Sequence, residues 1–310
     1  DSIDNYLPFS FANILKSKGY KCFGYHNNVG EFYSRNLSHK NLGYEFKAAG
    51  SGLDITLSNP ASDLEMFEQS VSDYIGSDRP FHAYYMTISG HLPYDFYANA
   101  MAIKNQDLVK DLEYDEAIKA FYACNIELDR ALGYILETLN EYGIAENTVI
   151  ALAADHWPYG LEPKQLRLIS GKNLDVTFGL FESAFILFNP GQEREVVEKY
   201  CCNLDIIPTL SNLFGLPYDS RLLMGHDIFC DTEPFIVFKS TNVVTDRLKY
   251  NGSKGTALTH DGQNADPAEI AAVKEKLQNQ LKFSALVLDH DYYRRIFDSL
   301  AGENTGKMQN

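Results

Sequence analysis

Residues 148–160, TVIALAADHWPYG, decide how we interpret the fold of this chain. The opening TVIALAA carries no charge and begins with β-branched side chains, a pattern that predicts a short strand buried on both faces. Asp155 and His156 follow directly, and a turn comes after them. In open α/β sheets, ligands bind beyond the carboxyl ends of the strands. The stretch therefore predicts an α/β fold with a functional site at a strand end.

Helix and strand patterns alternate on both sides of this stretch. Helices are predicted over residues 7–17, 61–75 (capped by Ser62 or Asp63), 113–142 and 204–214, and strands over residues 20–26, 81–88 and 183–188. Beyond residue 231 the pattern changes to short alternating strands and a helix over residues 267–281. We therefore expect an α/β core over residues 1–231 and a small antiparallel α+β subdomain over residues 232–310, packed on the core.

The amino-acid composition limits the kinds of molecule that this chain is expected to bind. The formal net charge of −15 would repel nucleic acid and anionic membrane surfaces, so neither is expected as an electrostatic partner. An anionic substrate would then need a local positive group such as a metal ion. No window approaches the roughly 18 apolar residues of a membrane span, and the N-terminus lacks the features of a signal peptide. The five cysteines show no zinc-binding spacing, which favours buried or free thiols.

Two more predicted strands are followed by a histidine. His91 lies in TISGHLPYDFY, residues 87–97, where Gly90 is expected to let the backbone bend sharply. His26 lies in GYHNNVGEFYSRN, residues 24–36, and is expected just past its strand. Tyr33 and Arg35 would share a face if that segment is extended. Because parallel strands have one direction, we expect the three histidine-bearing loops to converge at one edge of the sheet.

Each of these groups has a functional and a structural interpretation. Asp155 and His156 are suitable ligands for a divalent metal, or the carboxylate could cap a turn while the imidazole packs under a neighbouring ring. His91 could be a general acid, a donor to a substrate phosphate, or a surface residue. Arg35 offers a planar fork that matches phosphate or carboxylate oxygens, or it could be solvated over an aromatic side chain.

Read in order, five segments resemble the extracellular catalytic domain of lipoteichoic acid synthases, which are phosphoglycerol transferases of the alkaline phosphatase and sulfatase superfamily. They are FANILKSKGYKCFGYHNNVGEFYSRNLSHKNLGY, YYMTISGHLPYDF, NTVIALAADHWPYGL, LDIIPTLSNLFGLPYDSRLLMGHDIF and EPFIVFKSTNVVTDRLKYNG. The resemblance covers roughly residues 6–255. It implies a sulfatase-like three-layer sandwich with a central, mostly parallel sheet and a small C-terminal antiparallel subdomain.

The resemblance also implies residue roles. Asp155 and His156 correspond to a metal-binding pair that typically holds manganese, with magnesium or zinc as alternatives. His91 corresponds to the family's pocket histidine and would act in catalysis as well as in substrate binding. Substrate-binding residues would be His26, Tyr33, Arg35 and His91. Tyr33 departs from the family, which has tryptophan at that position of a Trp-x-Arg pattern.

The family's threonine nucleophile and glutamate metal ligand have no counterpart in the sequence. We therefore expect an inactive fragment of a protein anchored by N-terminal membrane spans at the extracellular face of the bacterial membrane. The parent would transfer phosphoglycerol from a phosphatidylglycerol-like headgroup to a glycerol or glycolipid acceptor. Alternatives are a sulfatase or a phosphoethanolamine transferase of the same superfamily, although no C/S-x-P-x-R motif is present, or a non-catalytic binding module.

Overall fold

A computed structural model describes residues 2–297 and has a mixed α/β fold, as predicted. Its helices are α1 Phe11–Ser17, α2 Arg35–Asn41, α3 Asp63–Ser70, α4 Ala100–Val109, α5 Glu116–Glu141, α6 Pro163–Ser170, α7 Ile206–Leu213 and α8 Pro267–Asp289. Its strands are β1 Lys21–Val29, β2 Glu45–Ala49, β3 Gly52–Leu53, β4 Phe81–Met86, β5 Ile150–Ala153, β6 Phe185–Phe188, β7 Phe235–Val237, β8 Val243–Thr245, β9 Leu248–Asn251 and β10 Thr256–Thr259. None of these helices is both long and apolar enough to span a membrane.

Two compact units make up the chain. One comprises residues 15–193, and the other combines the residues up to 14 with those from 194 onward. The boundary predicted between residues 231 and 232 falls inside the second unit, just before its antiparallel sheet begins at β7. That boundary remains a prediction about domain organisation.

The first unit is built on a parallel sheet with the strand order β3-β2-β1-β4. β1 lies in the interior of the sheet, and its residues 22–27 are all buried. Because side chains alternate along a strand, Phe23 and Tyr25 face one side, where they join the core formed with α3 and α5. The alternate residue His26 faces the other side, which is covered by α2. The sheet therefore has helices on both faces, as expected for a three-layer arrangement.

Side-chain caps fix the two helices that carry this core. The Ser62 side chain accepts a hydrogen bond from Glu65 N at the start of α3, and the Asp115 side chain accepts one from Ile118 N at the start of α5. Such caps satisfy backbone donors that have no partner within the helix. The caps therefore fix the residues at which α3 and α5 begin.

Strand β5, which precedes Asp155 and His156, differs from the prediction. β5 pairs with β6 in an antiparallel two-stranded sheet, and Ala151 and Ala153 are exposed while the alternate residues Ile150 and Leu152 are half-buried. The prediction of burial on both faces was therefore wrong. A shared parallel direction also cannot be what places the Asp155 loop beside the others, because β5 is not paired with the parallel sheet.

The second unit contains the predicted antiparallel subdomain. β7 to β10 pair in the order β10-β9-β8-β7, and every neighbouring pair is antiparallel. α8 covers this sheet through the buried side chains of Val273 and Leu277. The sheet contributes Phe235, Val243, Leu248, Tyr250 and Ala257 to the same core.

Candidate active site

His26 is a buried, neutral imidazole in the middle of the candidate site. It lies within β1 and not past its end as predicted, and it is 1% exposed. Its Nδ1 donates to the carbonyl oxygen of Met86 at 2.9 Å, so Nε2 accepts from Arg35 NH1 at 2.7 Å. Burial, together with the charge of Arg35, lowers the pKa of His26 to about 4, although the hydrogen bond to Met86 O acts in the opposite direction. His26 therefore orients the guanidinium without repelling it.

Arg35 lies between that buried histidine and two aromatic rings. Its guanidinium carbon is 5.5 Å from the ring centroid of Phe32 and 5.4 Å from that of Tyr33. Tyr33 and Ser34 have left-handed backbones, with φ of 56° and 53°, which turn the chain into α2. The segment is therefore not extended, so the condition under which Tyr33 and Arg35 would share one face of a strand is not met. Such strained φ values in residues other than glycine concentrate at functional sites, and the Tyr33 side chain is largely exposed.

His91 is exposed just beyond β4. Its Nδ1 donates to Leu92 O at 2.9 Å, which leaves Nε2 as the basic nitrogen. The backbone turns at Ser89 and Gly90, where His91 N donates to Ile88 O at 2.9 Å, although Gly90 does not have a positive φ. A Cβ at Gly90 would lie 2.8 Å from Oδ1 of Asn125 on α5. A side chain at position 90 would therefore require Asn125 to move, so α5 lies close to the loop that carries His91.

Asp155 and His156 form an exposed pair after β5. Asp155 Oδ1 lies 3.6 Å from His156 Nε2, and His156 Nδ1 donates to Trp157 O at 2.8 Å. A backbone carbonyl on Nδ1 is the arrangement that directs Nε2 toward a metal, so this pair fits a divalent cation. Among residues 2–297 no group of three or more His, Cys, Asp or Glu side chains is arranged to hold a metal. The pair therefore supplies only part of a ligand set.

The loops that carry His91 and His156 pack on each other. A Cβ at Gly160 would lie 2.8 Å from Cδ2 and Cε2 of Tyr94 and 3.1 Å from Cβ of Leu92. Tyr94 and Trp157 also belong to one apolar cluster with Phe121 of α5. This packing places the candidate metal pair beside the His91 loop, although β5 is not part of the parallel sheet.

Tyr84 of β4 lies within electrostatic range of both Arg35 and Asp155 and was not predicted as a site residue. Burial raises the pKa of its phenol, while the charge of Arg35 lowers that pKa and the charge of Asp155 raises it. The Tyr84 ring lies parallel to that of His39, with centroids 6.2 Å apart, and His39 Nδ1 donates to Arg35 O at 3.2 Å. The alternation of side chains along β4 was the only sequence signal that could have indicated Tyr84.

We expect Gly160→Ala to disturb the site by forcing the two loops apart. Overpacking of this kind typically costs about 1–3 kcal/mol, and urea unfolding measures it directly. Gly133→Ala in α5 is the matched control, because a Cβ there meets nothing within 4 Å and a helix gains up to about 1 kcal/mol from this change. If Gly160→Ala were as stable as the wild type, the close loop packing would be refuted.

The buried His26 predicts acid sensitivity. An unfolded histidine titrates near pH ~6.5, whereas the folded His26 titrates at about 4. Between these values the unfolded state binds a proton that the folded state does not, so stability falls as the pH is lowered. Between pH 7 and pH 5 this linkage amounts to about 2 kcal/mol.

We therefore expect the free energy of unfolding of His26→Gln to change less between these pH values than that of the wild type. His290→Gln, which replaces an exposed histidine, is the control and should behave like the wild type. An equal loss of stability on acidification in His26→Gln and wild type would contradict the assignment of a depressed pKa.

Comparison with known protein families matches residues 6–216 to the family described as Sulfatase. Among curated proteins, lipoteichoic acid synthases of Staphylococcus aureus strains USA300 and MRSA252 are each 23% identical over 302 residues. Those alignments cover 94% of this chain and 46% of the relatives. The chain thus spans about half the length of the curated relatives that it matches.

Solved structures with the same fold include the lipoteichoic acid synthase LtaP from Listeria monocytogenes. It superposes with a TM-score of 0.75 at 21% identity, covering 93% of this chain and 74% of LtaP. The structure titled Ps i-CgsB superposes with a TM-score of 0.60 at 13% identity, over 88% of this chain and 73% of that one. At these identities the similarity establishes a common fold.

Proposed function

Because this chain belongs to the sulfatase family, we propose that it is part of the catalytic domain of a metal-dependent phosphoglycerol transferase in cell-envelope polymer synthesis. The observation that carries the proposal is the buried, neutral His26 that holds Arg35 at 2.7 Å beside the exposed ring of Tyr33. A fixed guanidinium suits a phosphate, and an adjacent exposed aromatic ring suits a small polyol such as glycerol. The similarity to lipoteichoic acid synthases favours the same substrate class.

In this proposal the chain's own residues bind and orient the headgroup. His26 takes up one N–H of Arg35, and the planar fork of the guanidinium presents further donors to phosphate oxygens. His91 then holds or delivers a proton at Nε2 to an oxygen of the phosphodiester, since its Nδ1 is engaged with Leu92 O. These contacts would grip the ester and assist departure of the lipid alcohol.

Asp155 and His156 would hold a divalent cation, which we propose to be Mn²⁺. A bound cation would neutralise phosphate oxygens and favour ionisation of the attacking hydroxyl. Since the curated relatives are about twice as long as the match, we propose that the threonine nucleophile and glutamate ligand implied by the resemblance come from a part of the protein outside this sequence. We further propose that the whole protein acts at the extracellular face of the cell membrane, on a phosphatidylglycerol-like donor and a glycerol or glycolipid acceptor.

Other functions agree with some of these observations. The matched family is described as Sulfatase. In a sulfatase or a phosphoethanolamine transferase, the same residues would surround a sulfate ester or a phosphoethanolamine headgroup. A binding module would need only the Arg35 side of the site, and the incomplete ligand set among the described residues is compatible with it. The ligand preference and the metal requirement separate these alternatives.

Binding of glycerol 1-phosphate, measured by calorimetry, tests the proposed grip. We expect the chain to bind it, and Arg35→Gln to weaken that binding about 10- to 100-fold, because charge-assisted hydrogen bonds contribute about 1.5–3 kcal/mol. Arg221→Gln replaces an exposed arginine that pairs with Asp219 and should leave the affinity unchanged. Equal affinity in Arg35→Gln and wild type, or tighter binding of sulfate than of glycerol 1-phosphate, would count against the proposal.

A further inference from the structure

A buried carboxylate with no role so far bonds residues that lie close in the chain to His26 and His91. Asp63 is fully buried and is the first residue of α3. Its Oδ1 accepts from Asn27 Nδ2 at 2.8 Å and from Ile88 N at 2.9 Å. Its Oδ2 accepts from the hydroxyl of Ser89, and Ser89 N donates to the carboxylate as well. One side chain therefore bonds to residues at the carboxyl ends of two strands.

Those bonds reach the two chain segments that carry His26 and His91. Asn27 is the residue after His26 in β1. On the other side, Ile88 N donates to Asp63 while Ile88 O accepts from the backbone N–H of His91 at 2.9 Å. The carboxylate thus holds the backbone N–H groups of Ile88 and Ser89, the first residues of the turn that carries His91, and ties them to the strand that carries His26.

A buried carboxylate is costly unless its oxygens are well hydrogen-bonded. Burial raises the pKa of Asp63, while the hydrogen bonds from Ser89, Ile88 and Asn27 act in the opposite direction. These donors are amides and a hydroxyl in fixed positions, and the start of α3 adds the favourable end of a helix dipole. A fully hydrogen-bonded polar network of this kind makes a local structure rigid and specific.

We propose that Asp63 is a positioning residue that fixes the His91 turn relative to His26. The functional part of this inference rests on the proposed function, since that is what gives the two histidines their roles. The structural part concerns only the orientation of the His91 ring and can be tested without any turnover.

Asp63→Asn is the first test, because asparagine keeps the shape but directs N–H donors toward Ser89. In the full-length gene product we expect kcat for headgroup release to fall about tenfold or more, since a displacement of ~1 Å can cost 10²-fold. KM should change less than about twofold, because Arg35 and His26 keep their own contacts. Ser70→Ala is the matched control: it removes a buried hydroxyl at the other end of α3, which bonds Met66 O and the hydroxyl of Tyr85 on β4 and makes no bond to the His91 turn.

The second readout is the NMR signal of the imidazole nitrogens in this chain. The wild type should show His91 protonated at Nδ1, as its bond to Leu92 O requires. In Asp63→Asn the His91 signals should shift and report a mixture of tautomers, whereas in Ser70→Ala they should stay as in the wild type. Unchanged His91 signals in a folded Asp63→Asn would overturn the inference, whether or not the protein releases headgroups.

Ser89→Ala keeps the inference testable if Asp63→Asn does not fold. It removes only the hydroxyl donor to Asp63 and leaves the backbone bonds in place. We expect the same His91 shifts, smaller in size. A folded Ser89→Ala with His91 signals identical to those of the wild type would equally contradict the positioning role. An absence of headgroup release by the wild type, together with shifted His91 signals in the variants, would refute the proposed function alone.

Discussion

His91→Ala is expected to lower kcat for release of glycerol phosphate from phosphatidylglycerol at least a hundredfold. The reason is that a positioned general acid or base typically contributes 10²–10⁴-fold, and the Nε2 of His91 is presented for that role by the bond from Nδ1 to Leu92 O. The binding of glycerol 1-phosphate should change only a few fold, because Arg35 and His26 are untouched.

The assay for His91→Ala uses vesicles of phosphatidylglycerol and the full-length gene product, with released glycerol phosphate measured over time. His260→Ala is the control. His260 is exposed, and the hydrogen bond that the structure describes for its ring is to a backbone carbonyl, Thr245 O. It should keep the wild-type rate. Unchanged turnover in His91→Ala would remove His91 from the mechanism.

The double variant Asp155→Asn/His156→Ala is expected to lose Mn²⁺ binding. Both side chains are accessible, and the Asp155 carboxylate lies 3.6 Å from Nε2 of His156. The bond from Nδ1 to Trp157 O directs that nitrogen outward, so each ligand atom is free to face one cation. Removing a carboxylate and an imidazole leaves no ligand of this pair.

Calorimetric titration of Mn²⁺, with Mg²⁺ and Zn²⁺ for comparison, measures this effect in the chain and in the full-length gene product. The sequence offers a matched control in a second adjacent pair, His260 and Asp261, which is also exposed. His260→Ala/Asp261→Asn should bind Mn²⁺ as the wild type does. Equal affinity in wild type and Asp155→Asn/His156→Ala would show that the pair does not hold the cation.

The sequence was sufficient to predict the mixed α/β fold and the main order of helices and strands, although α2, α4 and α6 were not predicted. Its errors have physical causes. The run TVIALAA is equally compatible with a strand buried on both faces and with a half-exposed strand whose outer residues are small, and Ala151 and Ala153 make β5 the second kind. β2 was not predicted because its segment EFKAA carries two charges among its apolar residues.

The contacts that make the candidate site were less accessible to prediction. The ring orientations of His26, His91 and His156 each depend on a backbone carbonyl that accepts from Nδ1, and no local pattern specifies such a bond. Asp63 was predicted only as a possible helix cap. In the structure Ser62 caps α3, and the Asp63 carboxylate turns to the strand ends instead.

Headgroup release by the full-length gene product, with phosphatidylglycerol, phosphatidylethanolamine and an aryl sulfate compared in the presence of Mn²⁺ or a chelator, tests the proposed function most directly. The phosphoglycerol transferase predicts release of glycerol phosphate from phosphatidylglycerol that needs the metal, with little reaction of the other two. Hydrolysis of the sulfate ester, release of phosphoethanolamine in preference to glycerol phosphate, or a rate unaffected by the chelator would contradict it.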